Sequence, residues 1–157
     1  MQVVPVRHQA YVTAPLVDVA SQQPIVRLIE PQIYVRPEAG GLLVGGYGYR
    51  PVSFNMNDLP DHFEISALEP DSIYYNRLHQ AATAYFPALK QAVVVQERRG
   101  LPTMTTDAKH IVSTVIEVEG LVIATGCQVG GIQNSPAIGR MVADLISGQD
   151  SFGLLSV

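Results

Sequence analysis

Gly120-Leu121-Val122-Ile123-Ala124-Thr125-Gly126-Cys127-Gln128-Val129-Gly130-Gly131-Ile132-Gln133-Asn134-Ser135-Pro136-Ala137-Ile138-Gly139 reads as a strand, a tight glycine loop and a capped helix. The apolar run Leu121–Ala124 suits a strand covered on both faces. Gly126, Gly130 and Gly131 let the backbone turn sharply and approach a ligand closely. Ser135 is the expected N-cap and Pro136 the expected first helical residue. From there to about Ser147, Ile138, Met141, Val142, Leu145 and Ile146 recur at helical spacing, and Gly148 is the expected stop. Free N–H groups at such a helix start favour an electron-rich or anionic group above the loop.

Working outward, the preceding chain is rich in strand signals. Val3–Thr13 reads as one strand ending at Ala14-Pro15. Ile25–Glu30 and Ile33–Arg36 are extended, with Pro31 and Pro37 as breakers. Glu38-Ala39-Gly40-Gly41 turns the chain, and Leu42–Tyr49 returns as the second arm of a hairpin. Residues 50–70 are polar, carry prolines and have no clear period; they read as a long connection. Asp71 or Ser72 then caps a helix whose apolar face is Tyr74, Leu78, Ala81, Ala82, Tyr85 and Leu89, ended or kinked at Pro87. Ala92–Arg98 and Ile111–Val118 are further strands, and Leu121–Thr125 follows the turn at Gly120. The sum is an α+β layout with a strand-rich middle.

Composition bounds the function. The chain has 157 residues, room for one domain of ordinary size, and 47% hydrophobic residues, enough for a core and for apolar surface that wants a partner. A formal net charge of −4, with Arg98-Arg99 the sole adjacent basic pair, argues against nucleic acid. The single cysteine, Cys127, excludes an internal disulfide and fits a reducing compartment. No apolar run approaches the ~20 residues of a membrane helix, so no membrane partner and a cytoplasmic location are expected. His62, His79 and His110 lack partners at ligand spacing, so no metal site is expected. No Gly-x-Ser-x-Gly elbow occurs.

Four blocks carry a resemblance. They are Val4-Pro5-Val6-Arg7-His8-Gln9; Tyr34-Val35-Arg36-Pro37 with Gly41-Leu42-Leu43-Val44-Gly45-Gly46; Gly100-Leu101-Pro102-Thr103-Met104-Thr105-Thr106-Asp107; and the glycine loop. In this order they resemble the C-terminal half of the FAD-dependent D-amino-acid oxidase superfamily, on its glycine oxidase, sarcosine oxidase and dimethylglycine dehydrogenase branch. The resemblance runs roughly from Val4 to Gly148. It implies a mostly antiparallel substrate-layer sheet with a flanking helix, over residues 1–118, that roofs the flavin. It also implies a returning strand-loop-helix of the FAD-binding domain over 119–157. The family's opening G-x-G-x-x-G turn, which holds the FAD pyrophosphate, does not occur here; Gly45-Gly46-Tyr47-Gly48 lies in a hairpin and lacks the spacing. With Met1 just before the family's mid-chain block, the chain is expected to be a half: a split subunit, a truncated gene product or an expressed fragment.

The resemblance also implies site residues. Gly126, Cys127, Gln128, Val129, Gly130, Gly131 and Ile132 would lie beside the pyrimidine end of the isoalloxazine, where backbone N–H groups stabilise negative charge on reduced flavin. The other reading of this loop is a strand-to-helix turn of any α/β protein. Tyr34 would face the substrate with Tyr47 as a neighbour, or else pack on its cross-strand partner. Gln133 would donate a hydrogen bond toward substrate. Sarcosine-oxidase-like members have His where Gly130 stands and Lys where Gln133 stands, and glycine-oxidase-like members have Arg where Val129 stands. The Arg that grips the substrate carboxylate in glycine-oxidase-like members is replaced by Pro102; Arg98 or Arg99 would substitute, or else lie on the surface. Thr106, Ala108, His110 and Ser113 also depart from the family's Pro, Gly, Pro and Gly. His8 would pack or hydrogen-bond structurally, and Cys127 would be a small apolar filler.

Two functions follow from the resemblance. In one, the chain joins a partner bearing the dinucleotide fold, shares FAD with it and oxidises the C–N bond of a small amino acid or N-methylated amine. In the other, it is a non-catalytic truncated or regulatory module that associates with a full-length relative or with itself, as a homo-oligomer.

Overall fold

A computed structural model of the chain describes residues 3–47 and 49–149. Met1, Gly48 and the end of the expected 119–157 segment lie outside the described residues. In chain order the elements are strands β1 (Val3–Pro5), β2 (His8–Thr13), β3 (Val26–Leu28), β4 (Ile33–Glu38) and β5 (Gly41–Gly46), helix α1 (Ser72–Tyr85), strands β6 (Val94–Gly100), β7 (Thr103–Thr105), β8 (Ile111–Thr114) and β9 (Val122–Thr125), and helix α2 (Gly131–Ile146). Every strand pair is antiparallel, as the α+β reading requires. The chain divides into two compact units: Arg7–Leu101, and the N-terminal strand through Val6 together with the chain from Pro102 onward.

In the first unit the strand order is β3-β4-β5-β2-β6. The β4–β5 hairpin closes on Ala39 and Gly40, whose φ values of 49° and 79° are those of a two-residue turn with both central residues left-handed. Pro37, expected to break the strand, instead lies within β4 opposite Leu42. It is tolerated because β3 has already ended at the Val26–Val35 pair, leaving an open strand edge for a residue with no N–H. One face of the sheet buries Tyr11, Ile33, Val35, Leu42 and Val44 against Tyr74, Leu78 and Ala82 of α1. The other face gathers Ala10, Val12 and Leu43, with Tyr34 packed on them.

Helix α1 begins where the sequence indicates. The Asp71 carboxylate accepts the Tyr74 N–H at 3.0 Å and is held by Arg7 at 2.8 Å and Arg50 at 3.3 Å. Gln9 of β2 accepts the Asp71 N–H at 2.9 Å, tying the helix start to the sheet. The helix stops before Pro87, and the 3₁₀ turn Pro87–Gln91 buries Leu89 beneath the sheet. The long connection contains two further 3₁₀ turns, Met56–Asp58 and Ile65–Ala67.

The second unit holds two short antiparallel ribbons, β1–β7 and β8–β9, with α2 packed on β8 and β9. The single strand expected over Val3–Thr13 is broken: Val6 donates to the Pro102 carbonyl at 3.0 Å, whereas Arg7 donates to the Val52 carbonyl at 2.8 Å. β8 ends at Thr114, and Val115 to Gly120 form turns. β9 is half-buried rather than covered on both faces, because its sheet has two strands and α2 lies on one side.

The start of α2 also differs from the expectation. It begins at Gly131, with Gly130 as N-cap, five residues before Pro136. Pro136 therefore sits inside the helix, where it cannot donate to the Ile132 carbonyl. Ser135, expected as the cap, supplies that bond instead: its Oγ donates to Ile132 O at 2.8 Å. Among the described residues no helix is long and apolar enough to cross a membrane, and no group of three His, Cys, Asp or Glu could hold a metal ion.

Candidate active site

Strand alternation puts Tyr34 and Arg36 on the sheet face away from α1, because Ile33 and Val35 face the helix. The register then runs one row across four strands: Tyr34 opposite Gly45, Gly45 opposite Ala10, Ala10 opposite Arg98. Gly45 and Ala10 make a low floor, and the Tyr34 ring lies directly over Gly45, where a Cβ would fall 2.2 Å from the ring. His8, two residues from Ala10 and on the same face, places Nε2 3.0 Å from the Tyr34 hydroxyl, with the two rings parallel at 6.0 Å. On the other side Tyr47 stacks at 6.4 Å. Arg27 Nε donates to the Tyr47 hydroxyl, and its guanidinium lies 4.5 Å from that ring's centroid.

Burial disfavours the charged forms of both Tyr34 and His8. Burial pushes the Tyr34 phenol up, against the opposing pull of Arg36 and Arg98. Burial also holds His8 below its usual 6.5. A neutral imidazole hydrogen-bonded to a neutral phenol shares one proton between Nε2 and Oη, so the pair can pass a proton from one end to the other.

Arg98 reaches across β2 and β5 to Glu38, its Nη2 2.7 Å from Oε1, while its Nε donates to Gln96 Oε1 at 3.1 Å. Arg36 Nη1 donates to the other Glu38 oxygen. The two hydrogen bonds, Arg98's the larger, hold the Glu38 carboxyl below the ordinary range. Arg99, the other sequence candidate, is opposite Gln9 and bears on Tyr75 of α1, so it belongs to the covered face.

The glycine loop belongs to the second unit. Gly126 has φ +69° and no space for a side chain, since a Cβ would sit 2.5 Å from Thr105 Cγ2. Gln128 is also left-handed, at φ 54°. Its N–H donates to Thr103 O at 2.9 Å and its amide to Thr105 Oγ1 at 2.9 Å, so this side chain pins the loop to β7 rather than facing outward. Cys127 packs against Gly131, whose Cβ would lie 3.3 Å from Cys127 Cβ. Gly130 N donates to Cys127 O at 2.9 Å, and α2 starts with no side-chain cap. Val129 is 52% exposed and Ile132 92%. Gln133 is exposed on the first turn of α2, its amide beside Gly130. An uncapped helix start beside two glycines is an accessible set of backbone donors for an electron-rich group.

The model of the family described as FAD dependent oxidoreductase (DAO) matches residues 1–145. The chain belongs to this family. Mitochondrial dimethylglycine dehydrogenase of Mus musculus is 27% identical over 163 aligned positions, 98% of this chain and 19% of that protein. The formaldehyde-forming 4-methylaminobutanoate oxidase of Paenarthrobacter nicotinovorans is 28% identical over 130, 82% of this chain and 16% of that protein. The chain therefore spans about a fifth of the length of these curated relatives, at 19% and 16%. Among solved structures, L-proline dehydrogenase from P. horikoshii superposes with a TM-score of 0.80 at 24% identity, covering 98% of this chain and 38% of that one. Glycine oxidase from Geobacillus kaustophilus gives 0.75 at 23%, covering 96% and 36%. These two likenesses are of fold. FAD is the cofactor of the family, and the uncapped start of α2 is chemically suited to the electron-rich edge of a flavin.

The structure brings Tyr34 and Tyr47 together and puts Arg98 on the Tyr34 face. His8, Arg27, Arg36 and Glu38 join them without having been singled out as site residues. Arg36 was legible from its i+2 spacing to Tyr34, whereas His8 required the β2 register.

Proposed function

We propose that this chain is the C-terminal portion of a flavin-dependent oxidoreductase that oxidises the C–N bond of a small amino acid or N-methylated amine, and that it works with an N-terminal portion bearing the FAD-binding residues. That portion is a separate protein partner or lies on the same longer polypeptide. The observation that carries the reading is the His8–Tyr34–Tyr47 stack, set among arginines on one sheet face of a chain from an FAD-dependent family. FAD, when bound, supplies the hydride acceptor. The amides of Gly131, Ile132 and Gln133 would hold the electron-rich edge of the flavin, with Gly126, Cys127, Gln128, Val129 and Gly130 shaping the bend that presents them. Tyr34 Oη takes the proton that leaves the substrate amine as its own passes to His8 Nε2, because the nitrogen lone pair must be free before the carbon next to it can be oxidised. Tyr47 packs against Tyr34 and fixes its ring. A cytoplasmic location accompanies this proposal.

The test is to co-express the chain with an N-terminal portion of a family member, purify the complex and follow anaerobic flavin bleaching with a panel of amines. Bleaching by small N-methylated amines or amino acids, slowed about 10²-fold with Tyr34→Phe, is the expected result. A complex that retains FAD yet is reduced by no amine would overturn the proposal and favour a non-catalytic module.

A further inference from the structure

Tyr34 has unequal neighbours across its strand. In β5 its partner is Gly45, which has no side chain, and in β3 its partner is Arg27. Tyr47 lies two residues past Gly45 and is the diagonal neighbour of Tyr34, ring against ring. It follows Gly46, the last paired residue of β5, and is half-buried. Its N–H donates to Gln32 O at 3.0 Å, which fixes the backbone but leaves the ring free to turn. Arg27 removes that freedom. It reaches across β4 from the edge strand, its Nε donating to the Tyr47 hydroxyl while its guanidinium lies 4.5 Å from the ring centroid. Among the described residues Arg27 has no carboxylate partner, so Tyr47 is what it engages. A donor at the hydroxyl and a cation over the ring together select one ring orientation. In that orientation Tyr47 lies within 12° of parallel to Tyr34, and Tyr34 within 4° of parallel to His8.

We propose that Arg27 is a positioning residue: acting through Tyr47, it holds the Tyr34 hydroxyl in place on His8 Nε2. Arg27, Tyr47, Tyr34 and His8 form one file across the sheet, clamped at its exposed end by Arg27. Without the clamp Tyr47 can turn away, and Tyr34, whose β5 partner offers no side chain to lean on, can swing off His8. The role needs no contact between Arg27 and the transferred proton. Its catalytic consequence rests on the reading of Tyr34 and His8 as the proton-transfer pair, whereas the clamp itself is a property of this chain and is tested without flavin.

The first measurement is the nuclear Overhauser contact between the Tyr34 and His8 rings in the full chain. Arg27→Met should weaken it. Arg27→Lys, which keeps a cation near the ring but not the fork, should fall between. Tyr47→Phe, which keeps the ring but not the hydroxyl, should also weaken it, and the double variant Arg27→Met with Tyr47→Phe should be no worse than Arg27→Met alone. In the completed enzyme Arg27→Met should slow the limiting rate of flavin reduction about three- to tenfold with substrate affinity unchanged, the scale of one exposed cation–π contact with its hydrogen bond. The amide spectrum of each variant reports its fold; should Arg27→Met not fold, Arg27→Lys and Tyr47→Phe decide by the same contact. A Tyr34–His8 contact that persists in the folded variants, or additive losses in the double variant, would overturn the inference and leave Arg27 a role in the edge strand alone. A completed enzyme that no amine reduces would defeat the proposed activity while the ring contacts still judged Arg27.

Discussion

The Tyr34 ring occupies the space that a side chain at Gly45 would need: a Cβ there would fall 2.2 Å from both Cζ and the hydroxyl oxygen. Both residues lie in strands and are directly paired, so their backbones are fixed and the Tyr34 ring is what must shift. The glycine in β5 is what allows the phenol to lie flat on the sheet and reach His8.

Gly45→Ala should therefore expel the ring. We expect a loss of about 1–3 kcal/mol in denaturant unfolding, the usual cost of overpacking. The His8 ring should also lose its Tyr34 partner, read as a changed imidazole resonance. A variant with unchanged stability and an unchanged His8 signal would contradict the placement of the ring.

His8 should titrate below 6.5 in the folded chain, because burial disfavours the imidazolium. Between that lower value and 6.5 the unfolded chain binds the proton and the folded chain does not. Stability therefore falls as pH is lowered through this window. In the completed enzyme, flavin reduction should fall over the same range, and Tyr34→Phe should slow it about 10²-fold, the scale of one lost proton-transfer group. Histidine NMR and stopped-flow reduction check the two statements.

Asp71 caps α1 and carries two arginines, so Asp71→Ala should cost about 1–3 kcal/mol, combining a lost cap with unpaired donors. Asp71→Asn keeps the cap oxygen and should cost less. The Tyr74 N–H, foremost, and the two arginines lower the carboxyl below its ordinary 3.8. Its contribution is thus complete above 3.8 and disappears as pH falls through the lower folded value. Unfolding midpoints against pH for parent and variant chains should converge in that acid range.

Gly126→Ala places a Cβ 2.5 Å from Thr105 Cγ2 and 3.2 Å from the Lys109 carbonyl, at φ +69°. A cost of about 1–3 kcal/mol is expected from the strained backbone, with amide shifts confined to the Gln128 anchor and the start of α2. Shifts spread evenly over the whole chain would argue against a local role.

Leu89, fully buried under the sheet by the turn after α1, should lose about 2–5 kcal/mol on change to Ala, measured by chemical denaturation.

Local chemistry made several elements legible. Asp71 followed by an apolar 3.6-period places the start of α1, and Pro87 places its end. Ala39-Gly40 between two β-rich runs places the hairpin. The misreadings share one cause, which is that a local signal was answered by a neighbour distant in sequence or by another group nearby. Pro37 is harmless because β3 stops short of it. Pro136 is tolerated because Ser135 supplies the missing bond, so α2 reaches back to Gly131 and shortens the glycine bend. The candidate site was half legible for the same reason. Tyr34 and the glycine loop stood out by type and block, while His8 and Glu38 looked like ordinary strand and turn residues.

By itself, then, the sequence determined the element types, the antiparallel α+β class and the family, because turn chemistry, caps and periodicity act over a few residues and the four blocks occur in order. Only the tertiary structure decided which side chains meet. The register of β4, β5, β2 and β6 sets Tyr34, Gly45, Ala10 and Arg98 in one row, and a slip of one residue would send each to the other face. That register is imposed by burying Tyr11, Ile33, Val35 and Val44 under α1, a constraint summed over the whole sheet and written in no single segment.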